Sequence, residues 1–136
     1  MTVIEGKGTY TLVMHLGEGR KLKIGALGEI YFDEGYYAYT GSALGAGGFS
    51  RISRHRDVAD GKNRTKQWHI DYLLPYVEVV EAVTSHRPEC SVAAGIDRTL
   101  SRVAGFGCSD CSCQSHLHYS RNCESMLEVV RHAHRV

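Results

Sequence analysis

Glycine cuts the first third of this chain into strand-length pieces. Gly17 and Gly19 bracket one turn, Gly25 and Gly28 flank a second, and Gly41 to Gly48 is a Gly/Ser/Ala stretch. The segments between them read as β-structure. Lys7 to Leu16 alternates with the period of a strand, Tyr10, Leu12 and Met14 facing one way and Thr9, Thr11, Val13 and His15 the other. Lys21 to Ile24 and Glu29 to Phe32 predict two short strands, and Tyr36 to Thr40 is an aromatic, β-prone fourth.

The rest of the chain alternates between helix and strand signals. Phe49 to Val58 predicts a helix with Phe49 and Ile52 on its apolar side, followed by a loop at Asp60 to Asn63. Gln67 to Leu74 predicts a short helix stopped by Pro75. The β-branched run Val77 to Ser85 predicts a central strand. Pro88 suits a helix start, and that helix is expected to reach about Ala104 before Gly105-Phe106-Gly107 ends it. A short strand at His116 to Tyr119 and a last helix at Ser125 to Ala133 complete the order, leaving His132 and His134 as tail residues. This order predicts a small α/β (α+β) domain with a mixed, largely antiparallel β-sheet flanked by helices.

A chain of 136 residues supports one such domain, here divided into 1–120, including a Cys/His loop at 105–119, and a C-terminal helix or tail at 121–136. The apolar runs are only a few residues long, which excludes a transmembrane helix and predicts no membrane partner. Met1 to Gly8 lacks a basic-then-apolar signal pattern, so the expected location is cytoplasmic. Five cysteines without such a signal fit reduced thiols or a metal site better than a disulfide scaffold. Oligomeric state is not legible.

The formal net charge of +1 conceals an uneven distribution. Between residues 51 and 66 stand Arg51, Arg54, Arg56, Lys62, Arg64 and Lys66 against only Asp57 and Asp60. A local excess of that size attracts polyanions, although a solvated helix face and loop would look the same.

If the first and fourth strands pair, Tyr10 and Tyr39 approach one site. Arg51 and His55, four residues apart, share a helix face. Glu89 opens a later helix, where the helix dipole alone would favour it. Two phenols, an arginine, an imidazole and a carboxylate are a kit for phosphodiester cleavage. The carboxylate holds a divalent cation, the arginine neutralises the transition-state phosphate, and a phenol or imidazole handles the proton of water. Ordinary sheet packing is the rival account of the tyrosines. Asp97 is a second candidate metal ligand.

The paired signatures Gly8-Thr9-Tyr10 and Tyr39-Thr40-Gly41 resemble those of the GIY-YIG nuclease superfamily, as do Gly41-Ser42-Ala43, Arg51-Ile52-Ser53-Arg54-His55 and Glu89-Cys90. Lys23-Ile24-Gly25, Leu27-Gly28, Trp68-His69-Ile70-Asp71-Tyr72-Leu73 and the string from Ser109 to Leu117 resemble the Uri-type branch. The resemblance spans roughly Gly8 to Tyr119. It implies a GIY-YIG-like nuclease domain and a metal-dependent endonuclease acting on DNA that is single-stranded, branched or damaged, with RNA left open. Repair or processing of DNA is the expected setting.

By the same resemblance, Glu89 binds Mg²⁺ (or Mn²⁺) and Arg51 stabilises the pentacovalent phosphate. Tyr10 or Tyr39 is the base or positions the water, with Tyr10 favoured and His55 assisting. Such a role requires the phenol's pKa to fall from about 10. Arg54, Arg56, Lys62, Arg64 and Lys66 would hold the phosphate backbone. Threonine replaces isoleucine in both signatures, and 29 positions separate the tyrosines, implying an inserted turn or strand. The asparagine that many members carry after the glutamate helix is missing, with Ser109 or Asp110 as substitutes.

Cys108, Cys111, Cys113 and His116 form a candidate Zn²⁺ set, with Cys90, Cys123 or His69 as further possible ligands. A non-catalytic nucleic-acid-binding module organised by such a site is the alternative function, and a thiol redox protein a third. Trp68 is expected to anchor a short core helix, with His69 at the active-site rim or the Cys/His site.

Overall fold

A computed structural model of the chain describes residues 6–45, 47–107 and 113–135. The fold is mixed α+β. A five-stranded antiparallel sheet and a separate two-stranded hairpin are accompanied by four helices among the described residues. The strands are β1 (Gly8–Leu16), β2 (Arg20–Lys23), β3 (Glu29–Phe32), β4 (Gly35–Ala43), β5 (Glu78–Ser85), β6 (Ser101–Arg102) and β7 (Leu117–Ser120). The helices are α1 (Ser50–Ala59), α2 (Ile70–Leu73), α3 (Glu89–Asp97) and α4 (Cys123–Arg135). In the large sheet the order is β5-β1-β4-β7-β6. No described helix is long and apolar enough to cross a membrane.

Strand β1 is covered on both faces, as its alternation requires. Tyr10, Leu12, Met14 and Leu16 join a core cluster with Ile52 and Val58 of α1, Ile70 and Leu73 of α2, and Phe106. Val13 and Ala38 join a second cluster with Val92 and Ile96 of α3 and Met126, Val130 and Ala133 of α4. The β2–β3 hairpin accounts for the distance between Tyr10 and Tyr39. It pairs only with itself, through a single 3-10 turn at Gly25–Leu27, while β1 and β4 pair directly with Leu12 opposite Tyr39.

Three expectations change. The run at 77–85 forms an edge strand, pairing only with β1. Its shielding comes from α1 and α4 on either side, and Glu81 accepts from Arg131 of α4 at 2.8 Å. A register break opposite Val13 and Met14 skips Val80, which is exposed; such a bulge discourages further strands from adding to an edge. Helix α3 stops at Asp97 rather than Ala104. The Asp97 carboxylate takes two bonds from Arg102 (3.0 and 2.9 Å) and one from His118 (3.0 Å), which turns the chain back so that β6 can pair with β7.

The third change concerns the C-terminal helix. Asn122 caps it through Oδ1 to the Ser125 amide (2.9 Å). His134, expected in a tail, is buried in a polar chain that crosses the sheet. Its Nε2 meets Thr11 Oγ1 at 2.7 Å, its Nδ1 meets Ser85 Oγ at 2.7 Å, and Thr11 bonds on to Thr40 at 3.0 Å.

Candidate active site

The sheet register and two helix termini build one cleft. Tyr10, Tyr39, Gly41, Ser42, Arg51, Gln67, Trp68, His69, Glu89 and Gly107 line a space of about 260 Å³. Four of the five expected catalytic residues therefore share its wall, and the fifth, His55, lies directly behind. Tyr10 Oη and His55 Nε2 are 2.7 Å apart, and both residues are fully buried. The Tyr10 and Tyr39 rings lie 6.4 Å apart, and Tyr39 meets His55 edge-on at 6.1 Å.

Glycine makes room for this arrangement. Strand β4 runs through Gly41 to Ala43 instead of ending at Thr40, and Gly41 stands opposite Tyr10. A β-carbon at Gly41 would overlap the Tyr10 hydroxyl, so the residue type is set by the phenol it must admit.

Electrostatics distribute the protons. Burial pushes the Tyr10 pKa up, the neighbouring Tyr39 adds to this, and the charge and hydrogen bond of Arg51 only partly oppose it. The phenol is thus protonated at neutral pH, the opposite of the lowering that a free phenolate base would need. Burial also lowers the His55 pKa to about 4; Asp71 opposes that shift, while Arg54 and Arg51 reinforce it. The pair at neutral pH is a protonated phenol hydrogen-bonded to a neutral imidazole. His55 Nδ1 is buried with no hydrogen-bond partner among the described residues, a cost of about 1–3 kcal/mol accepted at this spot.

Arg51 is half-buried and held in place. One guanidinium nitrogen donates to the Ser42 carbonyl at 2.7 Å, and the group lies 4.8 Å from the centre of the Trp68 ring. Arg54, expected on the nucleic-acid face, is committed elsewhere. It covers Trp68 at 4.4 Å and makes a bidentate pair with Asp71 at 3.0 and 3.1 Å. Asp71 also accepts the amides of Gln67 (2.8 Å) and Trp68 (2.9 Å). Its burial works against ionisation, but the Arg54 bond and those two amides outweigh it and hold the carboxyl below its usual range. Asp71→Ala would strand the Arg54 charge and free the loop that shapes the cleft. A loss of about 3 kcal/mol in unfolding free energy by urea titration is expected.

The remaining basic residues are dispersed. Lys62 and Arg64 are exposed in the loop between α1 and α2. Lys66 is exposed and donates to the Asp71 carbonyl at 3.1 Å. Arg56 is half-buried beside Asp57 and Asp60.

Glu89 stands in the first turn of α3, its side chain 29% exposed, and is the one acidic residue among the described residues that line the cleft. A single carboxylate facing open polar space suits a hard divalent cation that keeps most of its water shell and takes phosphate oxygens as further ligands. Asp97, the second candidate, is occupied by Arg102 and His118 instead. His69 lines the cleft and accepts the Gly107 amide on Nδ1 at 2.8 Å, leaving its proton on Nε2. Gln67 and Gly107 join the wall without having carried a site signal, and Ser42 of the Gly41-Ser42-Ala43 string lies beside them.

Two members of the expected Cys/His set fall within the described residues. Cys113 and His116 converge with Cys90 of α3, their ligand atoms lying within 4.8 Å of one another, so these three could hold a metal ion. Cys108, Cys111, Ser109 and Asp110 lie outside the described residues.

Comparison with known proteins places the chain in a family without supplying a function. The model of the family described as Domain of unknown function DUF123 matches residues 9–136, and the chain belongs to that family. No curated protein and no solved structure matches it.

Proposed function

We propose that this DUF123 chain is a divalent-cation-dependent endonuclease of the GIY-YIG type. It would hydrolyse phosphodiester bonds in DNA and select by structure rather than sequence. The observation that carries this reading is the Tyr10–His55 hydrogen bond at the base of a cleft walled by Arg51 and Glu89.

The chemistry follows from the bonding. In the His55 tautomer that accepts on Nε2, Tyr10 donates its O–H to His55 and its oxygen offers the cleft a lone pair, which orients a water for attack on phosphorus. As that water loses its proton to Tyr10 Oη, the phenol's own proton passes to His55 Nε2. No standing phenolate is needed, so the raised pKa of Tyr10 is compatible with the role. Arg51, fixed by Ser42 and Trp68, meets the negative charge that develops on the phosphate. Glu89 would hold a magnesium or manganese ion, which supplies charge neutralisation and Lewis acidity when bound. Exposed Lys62, Arg64 and Lys66 lie on the loop leading to Gln67 and Trp68 at the rim, where they can hold the backbone of the strand.

The test is incubation with supercoiled plasmid, single-stranded and branched DNA, and RNA, each with Mg²⁺, with Mn²⁺ and with EDTA. Cation-dependent cleavage of at least one DNA is expected, with binding that weakens as salt rises. Binding without cleavage on every substrate would instead establish a non-catalytic module.

A further inference from the structure

Behind the cleft lies a second cluster with different chemistry. Cys113 Sγ points at Cys90 Sγ, 2.6 Å away. The third member is His116, buried at 2% exposure. It donates its Nδ1–H to the Thr40 carbonyl at 3.0 Å. A carbonyl only accepts, so this bond fixes the tautomer and leaves the imidazole lone pair on Nε2. A backbone carbonyl that orients a ring through one nitrogen is the outer-shell arrangement of metal-binding histidines, and the ligand atoms of all three residues lie within 4.8 Å of one another.

We propose that Cys90, Cys113 and His116 bind one thiophilic divalent cation of the zinc class, and that this ion fastens the start of α3 to the segment entering β7. Two sulfurs and an imidazole nitrogen are soft donors that suit zinc and disfavour magnesium or calcium. The spacing fits after one adjustment. Bonds of about 2.3 Å to sulfur set two thiolates about 3.8 Å apart on a tetrahedral ion. The pair therefore has to open by about 1 Å, and Cys90 is exposed and able to turn. A simple disulfide would account for the two sulfurs but not for the oriented histidine beside them.

The consequence reaches the cleft through one residue. Glu89 precedes Cys90, and its Oε2 lies 3.6 Å from His116 Nδ1. Fixing Cys90 fixes the backbone that carries Glu89. The metal site itself goes beyond the nuclease reading and would stand without it.

The experiment uses the full chain, purified anaerobically. Elemental analysis is expected to find about one zinc per chain, and replacement by Co²⁺ to give a thiolate-to-cobalt charge-transfer band. Cys90→Ser and Cys113→Ser should each weaken zinc binding at least ~10-fold and reduce that band. Glu89→Gln should keep both band and zinc while losing cleavage, which separates this site from the cation in the cleft. For variants that fail to fold, the wild-type protein still decides, because its melting temperature should rise with added zinc. A zinc content below ~0.2 equivalents with no thermal response would overturn the proposal. So would a cobalt band unchanged in both cysteine variants, or peptide mapping that finds a Cys90–Cys113 disulfide in the anaerobic protein.

Discussion

Arg51→Ala is expected to leave the chain folded and to lower cation-dependent DNA cleavage by about 10²- to 10³-fold. The side chain is half-buried and its interactions stay within the cleft, to the Ser42 carbonyl, the Trp68 ring and the Tyr10 phenol, so little of the fold depends on it. What is lost is a fixed positive charge facing the space where phosphate would sit. Glu89→Ala should abolish the cation-dependent part by removing the carboxylate of the cleft. Tyr10→Phe keeps the ring and its packing but removes the atom that orients water and passes the proton, and a fall of about 10²- to 10⁴-fold is expected. Circular dichroism and melting curves on the same preparations separate lost chemistry from lost structure. Cleavage that survives both Arg51→Ala and Glu89→Ala would assign the activity to another site or another protein.

Acidification should destabilise the fold by about 5 kcal/mol between pH 7 and pH 4.5. Two buried histidines drive the change. Burial lowers the pKa of His55 to about 4, and burial with the Arg87 charge does the same for His134. In the unfolded chain both would titrate near 6.5. Above that value each is neutral in both states and the full stability is present. As pH falls from about 6.5 toward 4 the unfolded chain takes up protons that the folded chain refuses, so stability is lost across that window. The contribution is about 2 to 3 kcal/mol per histidine, a large share of what a small domain has. Urea midpoints measured at pH 7 and pH 4.5 test this. His134→Gln should shrink the difference by about half, and equal wild-type midpoints would refute it.

The contrast between these two histidines shows what the sequence could disclose. His55 was legible because it stands four residues after Arg51 on a helix and within a recognisable set of short signatures. His134 carried no such signal. Its importance comes from Thr11 and Ser85, 123 and 49 residues away, and only the pairing of β1 with β5 under α4 brings them together. The strands of the glycine-punctuated half were legible for a local reason, since alternation and turn residues are written within ten positions.

The misread elements were decided at a distance. A β-branched run cannot report whether it has one strand neighbour or two, and 77–85 has one. A helix signal after Pro88 cannot foresee that Asp97 will prefer Arg102 and His118 to another turn. The charge excess between residues 51 and 66 does not disclose that Arg54 pairs with Asp71, 17 residues on. Cys90 joins Cys113 and His116 across a separation that spacing within a motif does not register.

The β2–β3 hairpin separates two lengths that evolution or an engineer would want to vary independently. It is seated along its length, with Leu22, Ile24 and Phe32 in the core and Leu27 of the turn packed against them, while Ala26 is exposed. The alignment of Tyr10 with the tip of β4 is set by direct strand pairing and owes nothing to how far the chain wanders between them. The number of residues between the two tyrosines is therefore free to change wherever Leu22, Ile24, Leu27 and Phe32 stay seated, because none of it is measured at the cleft.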